Sequence, residues 1–592
     1  MSRAAAAPGT PGTGADRSSP EAEIRSRVAR LEQGFGDPGD PDNPLGFRAV
    51  LAAEKDRRLL PAAEQLLAEQ GFGSELVPAR YGGRLERADV LARIVRPVFR
   101  RDMGLGIGYG ITSLFAASPV WAAGSEQQRA SLARVLCGGG RAAIVHHSMA
   151  HGNALLRGEL SAMQNSRGFR LSGRKDVVIN AARADALVVY ARTDPAPGSR
   201  SHSVLLLDPG ELPADRLRDL PRQATTGLRG CSFSGLEFDD CQVPADALVG
   251  ESGTGVRLAL RTFQLHRPLS AVAVIAAVDT VLRSAVRAAH QGGPGTILRK
   301  RHRPLLAGVF ADLLACDSLA TTVLRALHLQ PRSAHLAAAN VKYLVPDLLR
   351  EDLEELATVL GAGDHGRDGD QRMLSKLMRD LPTAGLGHAG TAACQSVVIP
   401  QLPSLARTSW LRSASPPAAL FGPEEPLSAL DISTLAVVGG DDFLAASLVA
   451  TAQRLPHGTA AGAYGGVLRS LVDGLLAELR DLRDRCAAIE PGDLAALSSP
   501  ATFALADRHA LVSCAGAALG VWDRHRDSGS FLGDPSWLVL ALHRLGRRLC
   551  LPALPELPEH CVERVLAEVL GRFHQARAYD LYDTPLAWDG AR

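Results

Sequence analysis

The residues with the clearest chemical potential in this sequence are three closely spaced histidines. His146, His147 and His151 fall within six positions, and imidazoles at that spacing could hold a zinc or iron ion. The segment is predicted as a strand end and loop, where His146 and His147 would point to opposite faces, and no carboxylate lies nearby in the sequence. We therefore predict no metal site.

Two glycine-rich segments imitate loops that bind phosphate groups. They read GAGDHG over residues 361–366 and GLGHAG over residues 385–390. A phosphate loop of this kind follows a strand and begins a helix within a βαβ unit, and neither segment has that setting. Both are predicted to be turns.

The elements that must position these side chains follow an α, β, α order with further helices, which predicts an α+β fold. Runs such as KDVVINA and ALVVYAR are short, rich in β-branched residues and separated by Gly, Asn, Asp and Pro, which is typical of a compact antiparallel sheet. The helical period precedes and follows them. We predict five regions: a disordered or weakly ordered tail over residues 1–43, an N-terminal helical domain over 44–140, a middle β domain over 141–250, a helical domain of the four-helix type over 251–405, and an appended helical domain over 406–592.

Composition limits the classes of function. The 592 residues carry 65 basic and 63 acidic side chains, so a broad electrostatic surface for nucleic acid or an anionic membrane is not expected. Nine cysteines without a CxxC pair favour a reducing compartment. There is no uninterrupted apolar run of about 18 residues and no basic segment followed by an apolar core at the N-terminus. We predict a cytoplasmic protein without a membrane span.

Several segments, taken in order, resemble the acyl-CoA dehydrogenase superfamily over about residues 45–405. They are PARYGG, GSEQQR, GRKDVVINAARADALVVYARTD, GLRGCSFSGLEFDDCQVP and GESGTGVRLALRTF. The additional C-terminal helices resemble the very-long-chain and acyl-CoA oxidase branches. The resemblance implies an FAD between the β domain and the second helical domain, and oxidation of a CH–CH bond in an acyl thioester.

The resemblance also assigns positions around the flavin, many of which depart from the family pattern. His147 occupies the position of the family's usual threonine, and Asn153-Ala154 that of its Ser-Asp pair. Val177 replaces the aromatic residue that packs on the flavin, and Ile179 replaces the residue whose hydroxyl lies near flavin N5. Gly152 and Asn180 are retained. The implied cofactor-binding residues are His147, Ser148, Gly152, Asn153, Asn180, Arg229 and Thr391.

The family's catalytic glutamate is missing, because Ala389 occupies its position in HAGT. Some branches carry the base on a helix just before an arginine, which here gives His266 followed by Arg267. A histidine is mostly neutral at pH 7 and can accept a proton, and His388 is the rival candidate. A histidine on an otherwise apolar helix is also commonly a core residue, so this alternative stays open.

Three hypotheses follow. The first is a flavin-dependent dehydrogenase or desaturase, with His266 as base and Arg267 organising the site, acting on an acyl thioester that a carrier protein could hold in a biosynthetic pathway. The second is a scaffold without FAD that serves as a binding or assembly subunit for an active homologue. The third is a non-redox isomerase or lyase. The resemblance also implies a homodimer, or a hetero-oligomer with a homologue.

Overall fold

Along the chain, the strands of one sheet lie between a first set of helices and the remaining ones. The computed structural model describes residues 19–147, 155–290, 298–361, 370–386, 390–455, 462–490 and 492–588. The helices before the sheet are α1 (Pro20–Phe35), α2 (Phe47–Lys55), α3 (Pro61–Glu69), α4 (Ala88–Arg101), α5 (Met103–Leu105), α6 (Thr112–Ala123) and α7 (Glu126–Cys137). The strands are β1 (Ala142–Val145), β2 (Ser161–Asn165), β3 (Gly168–Ile179), β4 (Ala186–Arg192), β5 (His202–Leu207), β6 (Leu217–Leu220) and β7 (Phe233–Val243).

Two groups of helices follow the sheet. The first group is α8 (Gly255–Ala289), α9 (His302–Leu329), α10 (Ala334–Leu360), α11 (Asp370–Leu386), α12 (Thr391–Val398) and α13 (Leu402–Thr408). The second group is α14 (Phe443–Arg454), α15 (Gly462–Ala487), α16 (Leu494–Leu497), α17 (Pro500–His525), α18 (Pro535–Arg548) and α19 (Cys561–His574). This mixture of a sheet and helical regions is the α+β arrangement that the sequence predicts.

Helix α1 corrects the expectation of a weakly ordered tail through residue 43. The Ser19 side chain caps the helix by accepting a hydrogen bond from the Ala22 amide, and Pro20 fits the first turn because it needs no amide partner there. Ile24 and Val28 lie on the buried face, which packs against α4. Helical spacing of apolar residues therefore outweighed the breaker residues that surround this segment. Residues 1–18 lie outside the described ranges.

The sheet is mixed, whereas the sequence predicts an antiparallel one. Its strand order is β1-β4-β2-β3-β7-β6, with β5 also paired to β4. The pairs β2–β3, β3–β7, β4–β5 and β6–β7 are antiparallel, but β1 runs parallel to β4. Parallel partners are joined by a long crossover, here containing β2 and β3, and alternation within each strand does not reveal it. Strand β1 packs against α6, and His146, which follows the strand, lies near Phe263 of α8.

Three helical segments are long and apolar enough to cross a membrane by length and composition alone. They are Met103–Ala123, Gly255–Ala289 and His302–Leu329, and the most apolar windows are 89, 94 and 100% buried inside the fold. They are not uninterrupted apolar runs in the sequence, because glycine, proline and charged residues interrupt them. Helix α9 lies between α8 and α10 on one side and α17, α18 and α19 on another, so its apolar surface is covered by the chain itself.

Candidate active site

His266 lies deep in α8, in the region where α6 and the end of β1 meet that helix. Its side chain is 0% exposed, its Nε2 is 3.0 Å from Ser118 Oγ, and its ring stacks on Phe115 with centroids 4.2 Å apart. Both partners come from α6. The helix is not regular here, because Pro268 has no amide hydrogen to give to the carbonyl four residues earlier.

Burial determines the protonation state of His266. Desolvation, with a smaller contribution from the positive charge of Arg267, lowers its pKa from 6.5 to about 3. The imidazole is therefore neutral at pH 7, which is the protonation state that a general base needs. The same shift makes it a weak base for as long as the site stays dry and has no negative charge.

His146 and His147 lie at the end of β1, and their arrangement corrects the expectation of opposite faces. Their ring centroids are only 3.5 Å apart. The regular strand ends at Val145, and alternation of side chains does not extend into the following loop. His146 is buried, and burial, followed by the charges of His147 and Lys175, lowers its pKa well below the usual value. In the described part of the chain, no three His, Cys, Asp or Glu side chains are placed to share a metal ion.

Phe263 connects the separate candidate residues. Its ring centroid lies 6.3 Å from that of His146 and 5.9 Å from that of His266, and the Arg267 guanidinium carbon is 5.9 Å from the same ring. Phe263 precedes His266 and Arg267 by three and four positions, which places the three residues near one another on α8. That spacing is the signal in the sequence that places Phe263 beside His266 and Arg267.

The end of β3 forms the second part of the candidate flavin site. Val177 and Ile179 are partly buried, and Val177 forms an isolated bridge with His147. Asn180 has a positive φ of 63°, and its Nδ2 donates a hydrogen bond to the carbonyl of Gly108 at 2.5 Å. Its Oδ1 is buried and has no hydrogen-bond partner among the residues that the structure describes. A polar acceptor therefore lies beside an aliphatic surface.

The remaining predicted residues are spread more widely. Arg229 is exposed and donates from Nε to the carbonyl of Thr226 at 3.0 Å. Thr391 begins α12, and Gly390 precedes it as the N-terminal capping residue. The predicted positions Ser148, Gly152, Asn153, His388 and Ala389 lie outside the described residues.

Helices α10 and α12 bring further titratable residues near Arg267, and one of them, Lys342, was not predicted from the sequence. Lys342, on α10, is 2% exposed, and burial together with the nearby charge of Arg267 lowers its pKa to about 8. Cys394, on α12, is 0% exposed and interacts electrostatically with both cations. Lys342 is one of five lysines in the chain, and its position in an apolar helix was the available signal.

Comparison with known proteins agrees with this architecture. The chain is 28% identical over 243 residues to cyclohex-1-ene-1-carbonyl-CoA dehydrogenase of Geobacter metallireducens, which is 40% of this chain and 63% of the relative. It is 27% identical over 257 residues to the mitochondrial short-chain specific acyl-CoA dehydrogenase of Homo sapiens, which is 42% of this chain and 61% of that one. Less than two thirds of the length of either relative is thus matched. No family model matches the chain.

Solved structures have the same fold at low identity. Butyryl-CoA dehydrogenase from Megasphaera elsdenii superposes with a TM-score of 0.57 at 20% identity, covering 64% of this chain and 97% of that one. The prolyl acyl carrier protein oxidase AnaB gives 0.56 at 19% identity, covering 64% and 98%. PigA with FAD and proline gives 0.57 at 17% identity, covering 66% and 98%.

The chain is similar in sequence and in fold to members of the acyl-CoA dehydrogenase superfamily. The matched part of a superfamily member corresponds to about two thirds of this chain at the level of fold. Within that fold, His266 and Arg267 occupy α8 where it passes the end of β1.

Proposed function

We propose that this protein is an FAD-dependent oxidoreductase that acts on the CH–CH bond of an acyl thioester. The observation that carries the proposal is the buried group formed by His146, Phe263, His266 and Arg267, at the junction of β1, α6 and α8. It brings a neutral imidazole and a cation together in a dry interior at the end of the sheet. Relatives named as acyl-CoA dehydrogenases support the same reaction class.

The residues at the end of β3 fit the ring of a flavin. Val177 and Ile179 offer partly buried aliphatic surface, and Asn180 Oδ1 is a buried acceptor without a partner within the described ranges. A flavin ring needs an apolar face and an acceptor for its imide N–H. Bound at this place, FAD would supply the acceptor for the hydride that leaves the β-carbon. Ile179 provides no hydroxyl donor, so the chain would hold the ring mainly through packing and the Asn180 amide.

His266 is the group that we assign to the α-proton. Its neutral form is fully populated at pH 7, and Ser118 Oγ, 3.0 Å from Nε2, fixes the orientation of the ring. A pKa of about 3 describes the closed site without substrate. Negative charge that develops on the thioester during deprotonation favours the imidazolium, because an opposite charge nearby raises the pKa of a histidine.

The proposal also covers the carrier of the acyl group, the location of the protein and its oligomeric state. We infer that the acyl group is held on a carrier protein in a biosynthetic pathway, and the fold of a protein named prolyl acyl carrier protein oxidase supports that choice. We also retain a cytoplasmic location and a homodimer or hetero-oligomer. All nine cysteines are free thiols, as suits a reducing compartment.

A second candidate function rests on the substitutions around the site. Three groups that the resemblance assigns to flavin binding and proton transfer are absent from the sequence. Val177 stands in place of the aromatic residue, Ile179 in place of the hydroxyl residue and Ala389 in place of the glutamate. A chain that has lost those groups can remain as an FAD-free binding or assembly subunit of an active homologue. The retained buried histidine and cation favour the oxidoreductase over this alternative.

The absorption spectrum of the purified chain, followed by titration with FAD, tests the proposal. We expect a flavin band near one equivalent, and bleaching of that band when an acyl thioester is added anaerobically. His266→Gln should retain the band and slow the bleaching by about 100-fold or more, since general base catalysis contributes on that scale. His302→Gln, a buried histidine at the start of α9, serves as the matched control and should bleach at the normal rate. A chain that neither contains nor binds FAD would favour the assembly subunit instead.

A further inference from the structure

Five arginines from three separate elements lie together on one surface of the protein. They are Arg57 and Arg58 in the loop between α2 and α3, Arg222 and Arg229 in the loop between β6 and β7, and Arg379 on α11. The first four are exposed and Arg379 is half-buried. We call this group the basic surface. Because the whole chain has a net charge of only +2, the basic surface is a local concentration of positive charge.

Close backbone approaches hold the three elements of the basic surface together. A Cβ on Gly230 would lie 3.0 Å from the carbonyl oxygen of Arg58, so the loop after β6 touches the loop after α2. Gly227, in the same loop, lies against the backbone of Arg379 on α11. The loop between β6 and β7 therefore contacts both of the other elements, and the positions of the arginines relative to one another are fixed.

Carboxylates neutralise only part of the basic surface. Arg58 is 3.4 Å from Asp56, and Arg379 is 3.1 Å from Glu54. In the part of the chain that the structure describes, no carboxylate forms an ion pair with the other three arginines. Five guanidinium groups thus share two carboxylates, and the excess charge is positive.

The hydrogen bonds of the loop arginines orient their side chains without compensating their charge. Arg222 Nη2 donates to the carbonyls of Arg229 and Cys231 at 2.8 and 2.7 Å, and Arg229 Nε donates to the carbonyl of Thr226 at 3.0 Å. Burial lowers the pKa of the Arg222 guanidinium, and the positive charge of Arg57 acts in the same direction. An anionic partner at this place would relieve that repulsion.

The loop that carries Arg222 and Arg229 continues into the candidate flavin site. Three residues after Arg229, the carbonyl of Ser232 accepts a hydrogen bond from the Asn180 amide at 2.9 Å. Cys231 Sγ donates to the carbonyl of Gly104 at 3.2 Å, and Asn180 Nδ2 donates to that of Gly108 at 2.5 Å. A macromolecule bound at the basic surface would therefore lie a few residues of one loop away from Asn180.

We propose that the basic surface docks the acidic face of a carrier protein that presents the acyl thioester on a flexible arm. The inference rests on the proposed function and adds the surface on which its macromolecular partner binds. Opposite charges on two proteins speed their encounter and fix their orientation. Exposed arginines on three elements suit a protein face, whereas a small anion is held by polar groups that converge in a pocket.

The first test measures binding of an acidic acyl carrier protein that holds a hexanoyl group. Calorimetry on the full chain should show binding that weakens when salt is raised from about 50 to about 300 mM, because exposed charges are screened. Arg222→Gln should lower the affinity by about tenfold.

Arg218→Gln is the matched control for Arg222→Gln. Arg218 is also exposed and lies four residues earlier, but its guanidinium faces Glu237 and Asp239 at 3.5 and 3.4 Å. Its substitution should change the affinity by less than about twofold. Absence of carrier binding, or equal losses of affinity in the two variants, would overturn the proposal.

The second test separates docking from folding at Arg57. This residue has a φ of 55°, which glycine adopts with less strain. Arg57→Gly should therefore keep or raise the melting temperature while it lowers the affinity for the carrier protein by about fivefold. A lower melting temperature with an unchanged affinity would assign Arg57 to the fold and overturn the proposal.

Two further probes identify other occupants of the basic surface. Hexanoyl-CoA should bind equally well to the unmodified protein and to Arg222→Gln. A loss for hexanoyl-CoA as large as that for the carrier protein would show that the surface holds the phosphates of the nucleotide. Tighter binding of a short DNA duplex than of the carrier protein would identify nucleic acid as the occupant. Either result would overturn the proposal.

These measurements require neither flavin nor turnover, so failure of the proposed function is distinguishable from failure of this inference. Carrier binding by a chain that does not bind FAD would retain the docking surface and discard the oxidoreductase. Conversely, turnover of hexanoyl-CoA by a chain that does not bind the carrier protein would retain the oxidoreductase and discard the docking surface.

Discussion

At the scale of the residue, the chemistry of the site depends on burial more than on residue type. His266 is an ordinary histidine in sequence, yet its surroundings keep it neutral far below the pH at which a solvated imidazole gains a proton. The same interior also lowers the pKa of Lys342, to about 8, which brings the titration of this ammonium group near the physiological range. Both effects come from helices that meet only in the folded chain, and a motif search does not detect them.

The depressed pKa of His266 predicts a measurable acid sensitivity. The folded pKa is about 3 and the unfolded value is 6.5, so between these limits the unfolded chain binds the extra proton and stability falls as pH falls. From pH 6.5 to pH 4 this single group should remove roughly 3 kcal/mol from the free energy of unfolding. His266→Gln should lose correspondingly less over the same range.

Urea unfolding of both proteins at the two pH values measures this difference, and other titrating groups cancel because they are common to both. The Ser118→Ala variant is a useful companion, since it removes the 3.0 Å contact but leaves the imidazole buried. It should retain the acid sensitivity. Parallel losses of stability in the unmodified protein and His266→Gln would show that the imidazole is solvated in the folded state.

At the scale of the element, local patterns were predictable and the contacts between elements were not. The run ALVVYAR coincides with β4, Ala186–Arg192, because buried β-branched residues bounded by polar ones have few alternatives. The parallel pairing of β1 with β4 and the burial of α1 depend on partners distant in sequence. The candidate site divides in the same way: His266 and Arg267 were identified from resemblance, whereas Lys342 becomes their neighbour only when α10 packs on α8.

The turn that begins at Gly227 shows how closely two elements can approach. A Cβ on this glycine would lie 2.0 Å from the carbonyl oxygen of Arg379, which belongs to α11. The next residue, Leu228, donates its amide to Asp380 Oδ1 at 2.6 Å, so the turn is attached to the same helix. The loop following β6 and the helix α11 are thus held together by backbone proximity.

Gly227→Ala should therefore lower the free energy of unfolding by about 1–3 kcal/mol, because backbone atoms must separate to admit the methyl group. Gly385→Ala is the matched control on α11, where an added Cβ meets nothing within 4 Å. That change should be neutral or slightly stabilising, since alanine is the better helix former. Chemical denaturation of the two variants measures both effects, and equal stabilities would mean that the turn moves away from α11 at no cost.

At the scale of the whole molecule, buried ion pairs connect the C-terminal segment to the first helices. Arg100 of α4 joins Glu32 of α1, Asp279 of α8 and Asp580, which follows α19. Asp580 also accepts amide hydrogen bonds from Tyr582 and Thr584 at 3.1 and 3.2 Å. The helices around the candidate site and the last described segment therefore share one buried ion cluster.

Substitution of Asp580 tests whether this ion cluster makes the C-terminal helices unfold together with the rest of the chain. Asp580→Ala leaves Arg100 with two carboxylates and releases the backbone of the final segment, so we expect the free energy of unfolding to fall by about 3–5 kcal/mol. Because the burial of α9 depends on α17, α18 and α19, the loss should appear throughout the fold, with a single unfolding transition shifted to lower temperature. Calorimetry together with limited proteolysis provides the measurement.

Asp527→Ala, at an exposed pair with Arg526, is the control and should change the free energy of unfolding by less than about 1 kcal/mol. A transition that splits in two, with the candidate site melting at its original temperature, would instead show that the C-terminal helices fold as an independent unit.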